Sequence, residues 1–91
     1  MNVRHDPEGS RFVISLRDGD AQLIYAPFGD DILDLQHTEV PPSGQGEGVG
    51  GALVRAAVAY ARGHNLQVMA TCRYVQAWLR RHPDERPGAG G

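Results

Sequence analysis

Lysine is absent from this 91-residue chain, cysteine occurs once, and no apolar run is long enough to cross a membrane. Without lysine, the GxxxxGK[ST] phosphate-binding loop cannot be built. A lone cysteine, Cys72, excludes an intramolecular disulfide framework and a zinc site made of several cysteines. A spanning helix needs roughly 18 apolar residues, and the polar first ten residues contain no secretory signal. We therefore expect a soluble domain in the reducing cytoplasm.

The chain also lacks a basic excess. Its formal net charge is −2 and its pI is about 6.0, which argues against a general nucleic-acid binder, since such proteins carry many basic residues. The charge is uneven: residues 1–44 contain 3 arginines and 8 acidic residues, whereas residues 45–91 contain 6 arginines and 3 acidic residues. An anionic ligand would therefore bind to the second half. We expect a monomer with no nucleic-acid, membrane or metal partner.

Hydrophobic periodicity predicts one small α+β domain. Two stretches of alternating apolar and polar residues are joined by an Asp-Gly tight-turn signal, which is typical of an antiparallel hairpin. A third strand follows, in which Leu33 and Leu35 are expected to share a face with His37. From Val49 the apolar residues recur at helical spacing. The predicted elements are strands at 11–17, 20–26 and 32–40, a helix at 49–63, a strand at 66–70 and a short final helix that ends before Pro83.

This order, β-β-β-α-β-α, predicts a mixed and mostly antiparallel sheet. Its last pair should be parallel, because a strand–helix–strand crossover joins parallel strands. Residues 11–83 are expected to form the single domain. Residues 1–10 are polar and contain proline and glycine, which predicts a flexible arm, and residues 84–91 have almost no apolar side chain, which predicts a disordered tail.

A glycine-rich segment, Gln45 to Gly51, lies between the third strand and the helix. Glycines at the start of a helix expose backbone N–H groups, and the helix dipole favours an anion there. One interpretation is a flexible loop without a ligand. The dinucleotide fingerprint Gly46-x-Gly48-x-x-Gly51 is disfavoured, because three strands precede it and no acidic residue follows about 20 positions later. The third interpretation is the pattern Gln45-x-x-Gly48-x-Gly50, entered from a strand and opening a helix.

Three further motifs flank this loop. They are His37-Thr38-x-Val40-Pro41 before it, and Cys72-x-Tyr74-Val75 and Arg81-His82-Pro83 after it. Together with the loop, over about residues 11–84, they resemble the very small GCN5-related N-acetyltransferase-like family. The family pattern has proline after the cysteine, where this chain has Arg73, and often continues Glu-Tyr after Arg-His-Pro, where this chain has Asp84 and Glu85.

The resemblance implies a minimal acyl-CoA N-acyltransferase (GNAT-like) fold with acetyl-CoA as co-substrate. The pyrophosphate would lie on the amides of the loop, and the pantetheine arm would lie along the strand before it. The residues implied for coenzyme binding are Glu39, Val40, Gln45, Gly46, Glu47, Gly48, Val49 and Gly50. The acceptor is an unknown amine or protein. The alternative to an N-acetyltransferase is a module that binds acetyl-CoA, CoA or a partner protein without turnover.

The resemblance also implies that Cys72 lies at the acetyl site. A thiolate is an effective nucleophile where cations or a helix N-terminus lower its pKa, but most lone cysteines are buried and inert. His37 is the candidate base, and the alternative is a core-facing histidine bonded to a backbone carbonyl. Tyr74 either donates a proton to the leaving thiolate or packs against its neighbours.

Overall fold

The computed structural model describes residues 1–85, whose strands form one sheet accompanied by two α-helices. The elements are β1 (Arg4–Asp6), β2 (Arg11–Leu16), β3 (Gly19–Phe28), β4 (Ile32–Glu39), α1 (Val49–Gly63), β5 (Gln67–Ala70) and α2 (Arg73–Arg81). Short 3-10 turns at Pro42–Gly44 and Pro83–Glu85 follow β4 and α2.

The strands lie in the sheet in chain order, β1-β2-β3-β4-β5. Neighbours pair antiparallel as far as β4, and β5 pairs parallel to β4, since α1 supplies the crossover that parallel strands require. The α+β class, the mixed sheet and the element order from residue 11 onward are therefore confirmed. No helix in the part of the chain that the structure describes is long and apolar enough to span a bilayer.

The segment 1–10, expected to be a flexible arm, contributes strand β1. Asp6 lies opposite Arg11 of β2, and the Arg11 Nε donates to an Asp6 carboxylate oxygen at 2.9 Å. The His5 ring stacks on Phe12 with 4.4 Å between ring centroids. The expectation was wrong because polar and aromatic contacts hold this strand, and they leave no alternation of apolar residues in the sequence.

Both helices cover the same face of the sheet, where one apolar cluster joins them to the inward side chains of β2 to β5. Each helix presents one apolar stripe to this cluster. Its largest fully buried side chains are those of Leu23, Leu35, Leu53, Val54 and Val75. Burying such a side chain contributes about 1.5–3 kcal/mol relative to leaving it exposed, so this one-sided core stabilises the fold. No helix among residues 1–85 covers the outer face of the sheet.

A β-bulge interrupts β4 midway along its length. Ile24 of β3 lies opposite His37, and the next β3 residue, Tyr25, lies opposite Leu35. Gln36 is therefore an extra residue in β4. One inserted residue reverses the alternation of faces in everything that follows it along the strand.

The bulge moves His37 to the outer face. Before the bulge, Leu33 and Leu35 point towards the helices, and after it Thr38 does so, opposite the buried Leu23. The expectation that Leu33, Leu35 and His37 share a face is wrong, because strict alternation holds only in a strand without an inserted residue.

The chain after α2 returns to the surface of α1. In the 3-10 turn Pro83–Glu85, the Glu85 carboxylate accepts a hydrogen bond from the Arg55 Nε at 3.0 Å. The predicted disorder of residues 84–91 is therefore wrong for Glu85, since this ion pair was not visible in the sequence pattern. Residues 86–91 lie outside the described residues.

Candidate functional site

β4 and β5 separate after four paired residues. Their last pair is Leu35 with Ala70, and the amides of Thr71 and Cys72 then both donate to the Leu35 carbonyl oxygen at 3.1 Å. The Asp34 carboxylate accepts hydrogen bonds from the amide and the hydroxyl of Thr71 at 3.1 and 3.0 Å. These bonds turn the chain away from β4 and into α2. Since β4 continues for four more residues, a gap opens beside its end.

A pocket of about 500 Å³ occupies this gap. Its walls come from the end of β4, the glycine-rich loop and the first turns of both helices. It is lined by Thr38, Val40, Gly44, Gln45, Gly46, Gly48, Val49, Gly50 and Tyr74. Four of these residues are glycines, so backbone atoms form much of the wall on the side of the loop.

The loop adopts a backbone that glycine accepts without strain. Gly46 and Gly48 have φ values of 78° and 77°. A Cβ at either position would meet no atom within 4 Å, so the requirement for glycine is conformational. Gly48 is the N-cap of α1, which has no capping side chain and no acidic residue in its first turn. The first amides of α1 are therefore available to an anion in the pocket.

The start of the loop is fastened to the β2–β3 hairpin. The Ser43 amide donates to the Asp18 Oδ2 at 3.1 Å, and the Ser43 hydroxyl donates to the Oδ1. The hydroxyl first, and then the amide, hold the pKa of Asp18 below its ordinary value. Gly44 packs so closely on Leu16 that a Cβ would lie 2.7 Å from the Leu16 Cδ1. These contacts fix the loop relative to the sheet.

Cys72 lies behind Thr38 at the edge of the pocket. Its Sγ is 3.6 Å from the Thr38 Oγ1, and its side chain is half-buried. Cys72 is also the N-cap residue of α2, with an extended backbone. The thiol is therefore next to a pocket-lining hydroxyl and at the positive end of a helix dipole.

Tyr74 reaches from the first turn of α2 to the first turn of α1. A Cβ at Gly50 would collide with the Tyr74 hydroxyl and would lie 2.8 Å from its Cζ. Gly50 thus leaves the space that the phenol fills. Tyr74 is 46% exposed, and its hydroxyl makes no hydrogen bond within residues 1–85, so it is available to a molecule in the pocket.

Most of the residues expected to bind the coenzyme lie together around this pocket. Those that line it are Val40, Gln45, Gly46, Gly48, Val49 and Gly50. The side chains of Glu39 and Glu47 do not line it. Glu39 lies on the outer face, where its carboxylate accepts a hydrogen bond from the Gln22 amide at 3.3 Å.

His37 does not reach the pocket. Its side chain is 58% exposed on the outer face, and its Nε2 lies 3.1 Å from the Glu39 Oε2. It is therefore not the core-facing histidine that the alternative interpretation describes. The bulge places Thr38 where His37 was expected. The sequence pattern includes Thr38 in the His37-Thr38-x-Val40-Pro41 motif but predicts no site role for it, because the alternation of β4 does not reveal an inserted residue.

The chain also matches known proteins over most of its length. The family model described as GCN5-related N-acetyl-transferase matches residues 11–87. Protein NATD1 of Gallus gallus is 34% identical over 85 residues, which are 91% of this chain and 77% of that protein. Protein NATD1 of Homo sapiens is also 34% identical, over 91% of this chain and 75% of its own length. The chain therefore belongs to the GCN5-related N-acetyltransferase family.

A solved structure supports the fold independently. The solution structure of a GCN5-like protein from Staphylococcus aureus superimposes with a TM-score of 0.71. The match covers 92% of this chain and 82% of the other, at 24% sequence identity. At 24% identity this similarity supports the fold alone, and it agrees with the mixed sheet described above.

Proposed function

We propose that the protein binds acetyl-CoA in this pocket and transfers the acetyl group to an amine. The observation that carries the proposal is the uncapped start of α1, which lines the pocket together with Gly46 and Gly48. Open amides and a helix dipole favour the negative charge of a diphosphate. Membership of the family supports the same ligand, since GCN5-related N-acetyltransferases use acetyl-CoA as their co-substrate.

The pocket suggests a place for each part of acetyl-CoA. The diphosphate would bind to the amides of residues 45–50. The pantetheine arm would follow the end of β4, where the backbone groups of Glu39 and Val40 have no paired β5 residue beside them. The thioester would then point towards Thr38 and Cys72, which close the inner side of the gap.

Acetyl transfer to an amine needs positioning, a neutral amine and a proton for the leaving sulfur. We assign the last task to Tyr74, whose hydroxyl is available in the pocket. Cys72 would serve as nucleophile: its thiolate attacks the thioester carbonyl, and the CoA thiolate leaves and takes the proton from Tyr74. The amine then attacks the acetyl-cysteine, Cys72 leaves again as the thiolate, and the proton that the amine loses returns to the Tyr74 oxygen. A base role for His37 requires the amine to approach from the outer face of the sheet.

Calorimetric titration with acetyl-CoA tests the proposal. The parent should bind, and Gly48→Val should weaken binding by about 100-fold, because several charge-assisted amide bonds are lost when a β-branched residue is forced to positive φ. Gly29→Val is the matched control. Gly29 also has a left-handed φ of 68° and open space around it, but it lies at the opposite end of β4. No heat at millimolar acetyl-CoA, or equal binding by the parent and Gly48→Val, would contradict the proposal.

A coenzyme-binding module without turnover is the second candidate. The outer face of the sheet favours it, since no helix among residues 1–85 covers that face to enclose an acceptor. Loss of the thioester should be followed with a panel of small amines and lysine-containing peptides. Saturable acetyl-CoA binding without thioester loss in any reaction would favour the module over the enzyme.

A further inference from the structure

We propose that Thr38 is the positioning residue for the Cys72 thiol, and that its hydroxyl stabilises the thiolate. The inference rests on the proposed function, since it assigns a helper to the sulfur at the acetyl site. It gives Thr38 the place beside the reacting group that the family resemblance suggests for His37.

The β-bulge at Gln36 places Thr38 on the same side of the sheet as the helices. Without the extra residue, continued alternation from Leu33 and Leu35 would turn His37 towards the helices and Thr38 away from them. With it, Thr38 lies opposite the buried Leu23 and lines the pocket. The bulge is thus the device that brings a small hydroxyl, rather than an imidazole, to the gap between β4 and α2.

The Thr38 hydroxyl and the Cys72 thiol are in direct contact. The Thr38 Oγ1 and the Cys72 Sγ are 3.6 Å apart, within hydrogen-bond reach for sulfur. While the thiol is neutral, either group can donate. Once the thiol is ionised, only the hydroxyl can donate, so this bond stabilises the thiolate. No other hydrogen-bond partner of the Cys72 Sγ occurs within residues 1–85.

The elements around Cys72 contain few other charged or titratable groups. On α2 these are Arg73 and Tyr74, next along the chain, whereas Arg80 and Arg81 lie in its last turn. On β4, Asp34 is bonded to Thr71, and His37 and Glu39 bond to each other on the outer face. The first turn of α1 contains no acidic residue. Removing the Thr38 hydroxyl therefore deletes a hydrogen bond to the Cys72 thiol without removing any charged group around it.

The pH dependence of alkylation by iodoacetamide is the test. Cys72 is the one cysteine in the sequence, so every adduct reports on it. Thr38→Val, which keeps the shape but removes the hydroxyl, should raise the midpoint of the rate profile by about one pH unit, the scale of a hydrogen bond to a charged group. Thr38→Ser should restore the parent midpoint. The midpoint reports ionisation, whereas a change in accessibility alone alters only the plateau rate.

Thr38→Ala guards against a variant that fails to fold, since it removes the hydroxyl without adding bulk, and it should reproduce the shift of Thr38→Val. An unshifted midpoint in Thr38→Val or Thr38→Ala, or an equal shift in Thr38→Ser, would overturn the inference. Acetyl-CoA binding is measured separately on the same variants. A shifted midpoint in a protein that binds no acetyl-CoA would support the positioning role and reject the proposed function, and binding with no shift would do the reverse.

Discussion

Strand β4 has a regular half and an irregular half. From Ile32 to Leu35 it pairs with β3 on one side and β5 on the other, and its leucines lie in the core. From Gln36 to Glu39 it contains a bulge, pairs within residues 1–85 with β3 alone, and borders the pocket. Backbone polar groups need partners. The strand therefore meets this need with its own sheet in the first half and leaves groups available to a ligand in the second.

The comparison suggests a division between stability and binding. Residues of the regular half are buried by both helices, so changes there should affect unfolding. Residues of the irregular half lie next to the loop and the two helix starts, so changes there should affect the ligand. The variants below test this division, from the largest expected effect to the smallest.

Leu35→Ala should produce the largest change in stability. Leu35 is fully buried at the last pair before the strands separate, and a cavity of this kind costs about 2–5 kcal/mol of unfolding free energy. Urea unfolding followed by circular dichroism measures it. Gln36→Ala, at the adjacent exposed position, is the control and should stay within about 0.5 kcal/mol of the parent. Equal losses of unfolding free energy in Leu35→Ala and Gln36→Ala would contradict the division of β4 into a stabilising half and a binding half.

Gly50→Ala should cost about 1 kcal/mol, because the new methyl group displaces the Tyr74 phenol, while the higher helix propensity of alanine offsets part of the loss. The double variant Gly50→Ala/Tyr74→Ala should recover most of this loss, since the two residues are in contact and their effects are not additive. Gly63→Ala is the matched control on the same helix. Its Cβ would meet no atom within 4 Å, so it should stabilise by up to about 1 kcal/mol. Additive losses in the double variant would argue against the Gly50–Tyr74 contact.

Asp18→Ala should have the smallest effect, a decrease of about two- to fivefold in acetyl-CoA affinity, the scale of an exposed polar contact. Asp18 holds Ser43 at the start of the loop. Asp20→Ala, in the same hairpin but without a bond to the loop, is the control and should bind like the parent. Similar affinities for the two variants would show that the hairpin does not position the loop.

The contact between Asp18 and Ser43 should also depend on pH. Because the pKa of Asp18 is lowered from 3.8 by its bonds to Ser43, the ionised form is the one that the fold favours. The contact should therefore be complete above pH 3.8 and be lost as the pH falls through the lowered value. The NMR shift of the Ser43 amide proton measures this transition. A midpoint at or above 3.8 would contradict the assignment.

Local signals predicted much of this fold. Alternation gave the β2–β3 hairpin, helical spacing gave α1, and proline after His82 gave the end of α2. The glycine loop was also predictable, since the residues that line the pocket there fall within the short stretch 44–50 and their chemistry depends on the backbone. In contrast, β1 was not predicted. Its contacts through His5 and Asp6 are with residues on other strands, so no local pattern of side chains indicates them.

By itself, the sequence determined the α+β class, the element order from residue 11, and a strand–loop–helix unit whose glycines expose amides. These features depend on periodicity and on backbone conformation, which are local properties. The tertiary structure decided which face each β4 residue occupies, where β4 and β5 separate, and that Thr38 rather than His37 lies beside Cys72. Those features depend on the register between strands, and one inserted residue changes that register without leaving a mark in the pattern of side chains.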